Sequence, residues 1–272
     1  MKKTITPFII ILMLLGCKKD EIPVTQKLKN CSVNYLYFRD DILLGNEQSI
    51  HLLPFDSVFT GCTYYYKGDK VTRVEGGFIP TGFIEQVFSK DVYDSICYNN
   101  NAVYVYKKIR SGDETWNDDY HSGIYYIDSH KRLIKVLMKD AFHPDGTFLN
   151  YTYNANLVTE SDNSGKTRRQ FFFENNNLVK VLYEKKDTLG VVFWKLEIMF
   201  QEYDNKPNPF KNMFFVRGAF FRAFSENNYK SFTRNEYRRF SDGTLGLVNY
   251  YWYTMPFLYN ADSYPLFGDY EK

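Results

Sequence analysis

A unit recurs along the middle of this chain, and it limits what the chain can fold into. An aromatic run enters a short polar turn, and an apolar residue opens the next run. Tyr64-Tyr65-Tyr66 leads into Lys67-Gly68-Asp69-Lys70 and then Val71 and Val74. Tyr98 leads through Asn99-Asn100-Asn101 to Val103 and Tyr106, and Tyr125-Tyr126-Ile127 through Asp128-Ser129-His130-Lys131 to Leu133 and Val136. Tyr151 and Tyr153 precede Asn154-Ala155-Asn156 and Leu157. Phe171-Phe172-Phe173 precedes Glu174-Asn175-Asn176-Asn177, Leu178 and Val181, and Phe240 precedes Ser241-Asp242-Gly243, Leu245 and Val248. Asn, Asp and Gly tolerate the positive φ that tight hairpin turns require, and the flanking runs are aromatic and β-branched. The spacing between units is irregular, so this is a degenerate hairpin repeat and not a solenoid period. Consecutive hairpins pair with their neighbours. The expected fold is all-β: an antiparallel meander of successive β-hairpins forming one large curved sheet.

One segment departs from the pattern. Asn208-Pro209 is a helix start by composition. Phe210, Met213, Phe214, Arg217, Phe220, Phe221 and Phe224 then recur at steps of three and four. This spacing predicts one helix near residues 208–225, packed on the sheet. Leu247 to Tyr253, rich in Tyr250, Tyr251, Trp252 and Tyr253, reads as a C-terminal strand.

The first residues carry a different signal. Met1-Lys2-Lys3 is followed by an apolar stretch from Ile5 to Leu15, too short to span a bilayer, and then Leu14-Leu15-Gly16-Cys17. That ending resembles the bacterial lipoprotein lipobox. The resemblance implies that residues 1–16 are a signal peptide and that Cys17 is acylated and becomes the N-terminus. It also implies anchorage to a membrane by lipid without spanning it. Each buried CH2 contributes about 0.8 kcal/mol, so two or three acyl chains hold firmly. Lys19-Asp20-Glu21 resembles the signal that sends some Gram-negative lipoproteins to the outer cell face. The expected location is therefore the outer membrane, with the surface side favoured over the periplasmic one. Residues 17–30 read as a lipidated tether, and 31–272 as a single hairpin-repeat domain.

The aromatic-turn-Leu-x-x-Val hairpins, with Tyr203-Asp204-Asn205-Lys206-Pro207-Asn208-Pro209-Phe210, resemble YD/Rhs-type repeats. They are closer to uncharacterised cell-envelope lipoproteins built from similar units. The resemblance covers roughly residues 60–255. It implies the hairpin fold and an envelope location, and carries no catalytic residue.

Chemistry-bearing motifs are sparse. Net charge is +2, with 34 basic and 32 acidic side chains interleaved, so nucleic acid is not an expected partner. With Cys17 acylated, Cys31, Cys62 and Cys97 are disulfide candidates: one bond and one remaining thiol, with the pairing open among three choices. Gly165-Lys166-Thr167 lacks the upstream Gly of a phosphate loop and reads as a turn. His51, His121, His130 and His143 have no metal-ligand spacing.

The densest polar cluster is Asp113 to His121. Its Asp, Glu and Asn oxygens suit Ca²⁺ chemically, but no EF-hand glycine is present, and a solvated loop is the expected structure. Trp116, Asp118, Asp119 and Tyr120 are the candidate binding residues there, Trp116 and Tyr120 as platforms for a sugar ring. No cofactor beyond the lipid is expected. Aromatic residues make up 19 % of the chain, 24 Tyr and 24 Phe among them, and such side chains bring large contact area at low entropy cost.

Three functions compete. The leading one is a non-catalytic binding or structural role, in which an aromatic sheet surface meets a glycan or an envelope protein. A lipid-handling scaffold would instead show a concave apolar sheet. An envelope hydrolase would work around Asp118, Asp119 and His121.

Overall fold

The computed structural model describes residues 27–32, 61–81, 85–111, 114–138, 145–216, 218–254, 257–266 and 270–271. The expected signal peptide, Cys17 and most of the expected tether lie outside them. The strands are β1 (Lys27–Leu28), β2 (Asn30–Ser32), β3 (Gly61–Lys67), β4 (Lys70–Thr81), β5 (Glu85–Asn99), β6 (Ala102–Ser111), β7 (Glu114–Ile127) and β8 (Leu133–Met138). After them come β9 (Thr147–Asn154), β10 (Leu157–Ser161), β11 (Thr167–Glu174), β12 (Asn177–Lys186), β13 (Val192–Tyr203), β14 (Tyr229–Arg239), β15 (Leu245–Thr254) and β16 (Tyr270–Glu271). β2 through β15 pair in strict sequence order as one antiparallel sheet of 14 strands, and β1 pairs with β16. The sheet is the expected meander. It is open: β2 and β15 are its edges among the described strands.

The turns are what the sequence chemistry demands. Asn175 and Asn176, at φ 48° and 62°, join β11 to β12 as a two-residue turn that keeps the right-handed twist of the hairpin. Gly165, at φ 77°, sits in the β10–β11 turn, so Gly165-Lys166-Thr167 is a hairpin corner.

In a meander, alternate turns lie at the same end of the sheet. The first five repeat units join β3–β4, β5–β6, β7–β8, β9–β10 and β11–β12, so their turns share one end. The long β13–β14 connection, Asp204 to Asn228, leaves from that end too. Its aromatic segment folds back over the sheet and meets the residues that enter the turns. Phe210 lies 6.3 Å from Tyr64 of β3, ring centre to ring centre, and Phe215 lies 5.8 Å from Tyr98 of β5 and 6.4 Å from Tyr125 of β7. Phe220 lies 6.5 Å from Tyr151 of β9, Phe224 4.9 Å from Phe171 of β11, and Phe221 5.5 Å from Phe200 of β13. One segment thus plugs the apolar face of six strands. The core consists of these rings with the post-turn residues Val71, Val103, Leu133 and Leu178, all buried.

The plug is not the helix that the spacing predicts. Only α1 (Phe220–Ala223) is helical. Elsewhere successive turns close between residues three apart: Lys211 N–H to Asn208 O, Met213 to Phe210, Val216 to Met213 and Ala219 to Val216. Asn212 and Gly218 have φ of 64° and 80°, the left-handed region that a right-handed helix excludes. A step of three along a chain of turns gives the same apolar spacing as a helix, but it fans the rings across many strands. Asn208 begins the first turn and caps no helix, accepting from Phe210 N–H at 3.0 Å. Its amide nitrogen donates to Arg222 O and Ser225 O, at 2.7 and 2.9 Å, and ties the start of the plug to its end.

A tyrosine ladder joins consecutive hairpins at the plugged end. Tyr66 donates to Leu28 O at 2.9 Å, Tyr98 to Val71 O at 2.9 Å, Tyr153 to Leu133 O at 2.9 Å, and Tyr203 to Leu178 O. Each closes one strand; Tyr98, Tyr153 and Tyr203 reach back to a residue at or next to the start of the strand before, and Tyr66 reaches the end of β1. Burial pushes the hydroxyls of Tyr98, Tyr153 and Tyr203 well above the usual phenol range, so they remain donors across physiological pH. Changing any one of these three to Phe is expected to lower stability by about 1 kcal/mol, by loss of one hydrogen bond to a part-buried carbonyl. Urea unfolding checks this, and a change below about 0.3 kcal/mol at all three sites would remove the ladder as a stabilising element.

Candidate functional site

The candidate site is the edge strand β15, and its placement begins with the strands beside it. Glu236 of β14 is buried and accepts from Trp194 Nε1 of β13 at 2.9 Å, from Arg238 at 3.0 Å, and from Asn249 Nδ2 of β15 at 3.0 Å. Burial acts to raise its pKa, but the hydrogen bonds from Trp194, Asn249 and Arg238, with the charge of Arg238, hold it below the usual carboxylate range. A single carboxylate therefore fastens three strands and fixes the register of β15. Tyr251 and Tyr253 extend over the same face, Tyr251 under the guanidinium of Arg234 at 5.6 Å and Tyr253 beside Phe232 at 5.5 Å.

Side chains alternate along a strand, so Tyr250 and Trp252 stand on the other face. They are 58 % and 61 % exposed, among the most open aromatics described. Trp252 is opposite Thr233 and Tyr250 opposite Asn235. Across β13, Met199 and Glu197 continue the two rows. Lys195 lies over the ring of Tyr237 at 4.1 Å on this outer face. The result is a pair of open rings bordered by hydroxyl, amide and carboxylate groups. β15 carries no charged residue and no proline between Leu245 and Thr254, two of the features that usually blunt a sheet edge, and its ladder slips by one residue at Val248.

The cluster that the sequence offered first stands elsewhere. Trp116, Asp118, Asp119, Tyr120 and His121 lie on β7, and their side chains fall outside the described residues. The expected solvated loop is instead assigned to strand β7: Glu114 to Asp118 pair with β6, because a polar run satisfies a ladder as well as an apolar one, and pairing resumes at Gly123. The ladder is irregular there. Val105 of β6 pairs with Gly123 and Lys107 with Asp118, so four residues, Asp119 to Ser122, span the place of Tyr106 alone. Among the described residues, no group of three His, Cys, Asp or Glu is placed to hold a metal ion.

Of the cysteines, Cys31 and Cys62 are buried and directly opposite each other on β2 and β3, while Cys97 is exposed on β5. The second buried polar centre joins β9, β10 and β11. Glu160 accepts from Tyr151 at 2.7 Å and pairs with Arg169, whose Nε lies 2.9 Å from Oε1. It is sealed from solvent, and its role is structural.

Sequence reasoning identified the β15 strand and its aromatics but did not single it out as a site. The signal available was the lack of any charge or proline over ten residues at the last repeat.

No protein-family model matches this chain, and no curated protein matches it. Two solved structures are similar in outline. One is a porin-like protein from Bacteroides vulgatus, with 8 % identity and a TM-score of 0.39, covering 74 % of this chain and 87 % of that one. The other is a porin-like protein from Bacteroides uniformis, with 11 % identity and a TM-score of 0.35, covering 71 % of this chain and 89 % of that one.

Proposed function

We propose that this is a lipid-anchored protein of the bacterial cell envelope with a non-catalytic binding role, and that the outer face of β15 is its contact surface for a glycan. The observation that carries the reading is the exposure of Tyr250 and Trp252 side by side on a strand whose register is pinned by Glu236. An aromatic ring presents a negative face, and the axial C–H bonds of a pyranose are weakly positive, so the two stack. The Thr233 hydroxyl and the Glu197 carboxylate stand along the same rows to meet sugar hydroxyls. Large exposed rings cost free energy in water and are a mark of recognition surfaces.

The lipid-handling alternative is less well supported. The apolar face of the sheet is occupied by the chain's own plug, from Phe210 to Phe224. Anchorage rests on the Leu-Leu-Gly-Cys17 signal.

Two measurements test the reading. Mass spectrometry of the native protein should show a mature chain that starts at an acylated Cys17. On a glycan array, the detergent-solubilised full chain should bind, and Trp252→Ala should weaken binding about ten- to a hundred-fold while stability changes by less than about 0.5 kcal/mol, since the ring is exposed. Trp116→Ala serves as the comparison at the other aromatic candidate. Equal binding by the native chain and Trp252→Ala, or no binding to any glycan, overturns the role assigned to β15.

A further inference from the structure

We infer that Cys31 and Cys62 are a disulfide-forming pair that locks the first edge strand to the sheet. The proposal rests on the export reading above for its oxidising surroundings, and on geometry for the choice of partners. The register sets Cys31 directly opposite Cys62, with Asn30 opposite Thr63 and Ser32 opposite Gly61. Tyr64 N–H donates to Lys29 O at 2.8 Å, two residues along the same ladder, so the cysteines occupy a hydrogen-bonded pair. Cα atoms at such a pair are about 5.5 Å apart, and at the alternative pair about 4.5 Å. Both values lie inside the roughly 4.4–6.8 Å that a disulfide spans. Directly opposite residues point to the same face, and both thiols are buried, at 0 % and 2 % exposure. Cys97 stands opposite Tyr104 on the β5–β6 ladder and is exposed. It is not a partner for either.

The chemistry is an exchange with a disulfide oxidant, a protein or glutathione disulfide. One thiolate of the pair attacks an oxidant sulfur, forms a mixed disulfide and expels one oxidant thiolate. The second thiolate attacks the mixed disulfide at the cysteine sulfur, closes the Cys31–Cys62 bond and expels the other oxidant thiolate. The two protons from the cysteines end on the two released thiols. The pair loses two electrons and the oxidant gains them.

Burial, and the neighbouring Cys62, push the Cys31 thiol well up, against the charge of Arg222. The thiolate is therefore scarce while β2 is docked, which slows both closing and opening of the bond in the folded chain. In the thiol form Cys62 also makes a weak hydrogen bond to Gly76 O at 3.6 Å, which oxidation exchanges for the covalent bond. The consequence is mechanical. β2 is three residues long and is the edge nearest the tether, so a load on the lipid anchor reaches the sheet there first.

The test uses the full chain in detergent, equilibrated with mixed reduced and oxidised glutathione, quenched in acid, denatured, alkylated without reduction and digested. The expected product is a linked peptide pair carrying Cys31 and Cys62, two hydrogens lighter than the separate thiols, with Cys97 alkylated. Reduction should lower the melting temperature by roughly 10 °C, while a Cys31→Val/Cys62→Ala chain melts at one temperature in both buffers. Alkylation of both Cys31 and Cys62, or linkage through Cys97, overturns the proposal. The same digest of protein from native envelopes separates the two readings. Lipid on Cys17 with unlinked Cys31 and Cys62 sinks the disulfide and leaves export standing. A linked pair in glutathione with no lipid on the native chain does the reverse.

Discussion

Arg169→Met is expected to lower the unfolding free energy by about 3–5 kcal/mol. Glu160 is fully buried, between Tyr151 on one neighbouring strand and Arg169 on the other. The guanidinium also lies 5.4 Å from the rings of both Phe171 and Phe220, under the plug. Without Arg169 the carboxylate keeps only the Tyr151 hydroxyl, in surroundings where an uncompensated charge cannot reach water. The pair itself contributes little net stability, because bringing two ions out of water costs about as much as their attraction returns. Replacing all three polar partners, as Tyr151→Phe/Glu160→Leu/Arg169→Met, should therefore restore stability to within about 1–2 kcal/mol of the native chain. Urea midpoints at constant m-value decide it. A single variant as stable as the native chain would show that water reaches Glu160. A triple variant no better than the single would show that the triad specifies packing and is more than a compensated charge.

Phe220→Ala should cost a similar 3–5 kcal/mol, by a different mechanism. The ring is 2 % exposed and lies within 6.5 Å of Tyr151, Phe171, Phe214, Phe221 and Phe224, centre to centre. Deleting it leaves a cavity where plug and sheet meet, and the surrounding rings cannot all close on it. Backbone amides of β9 and β11 should lose hydrogen-exchange protection together with those of the plug, because the three share this contact. Leu245→Ala is the control: Leu245 holds the same place in its repeat as Leu178, but it is 39 % exposed and should cost less than about 0.5 kcal/mol. A loss below about 1 kcal/mol at Phe220 would mean that the plug rests on the sheet without stabilising it.

The candidate site was half legible. The composition of Leu247 to Tyr253 reads directly as an aromatic strand. Nothing in one dimension says that it is the edge, which is what leaves Tyr250 and Trp252 open. The cluster from Trp116 to His121 drew attention by its density of carboxylates, and density along the chain does not report where a strand sits in a sheet.

What the sequence determined alone is local. Turn residues tolerant of positive φ, set between runs of alternating aromatic and β-branched side chains, make hairpins, and hairpins in series make a meander. Those preferences act within a few residues, so they can be read without coordinates. What the tertiary structure decided is burial. The repeats at Tyr64, Tyr98, Tyr125, Tyr151 and Phe171 turn at the end of the sheet that the plug covers, and their rings or post-turn residues are buried. The repeat at Phe240 turns at the opposite end, and Phe240 and Leu245 are 49 % and 39 % exposed. The same pattern becomes core in five copies and surface in the sixth, because burial depends on what a distant segment covers and not on the residues that flank the turn.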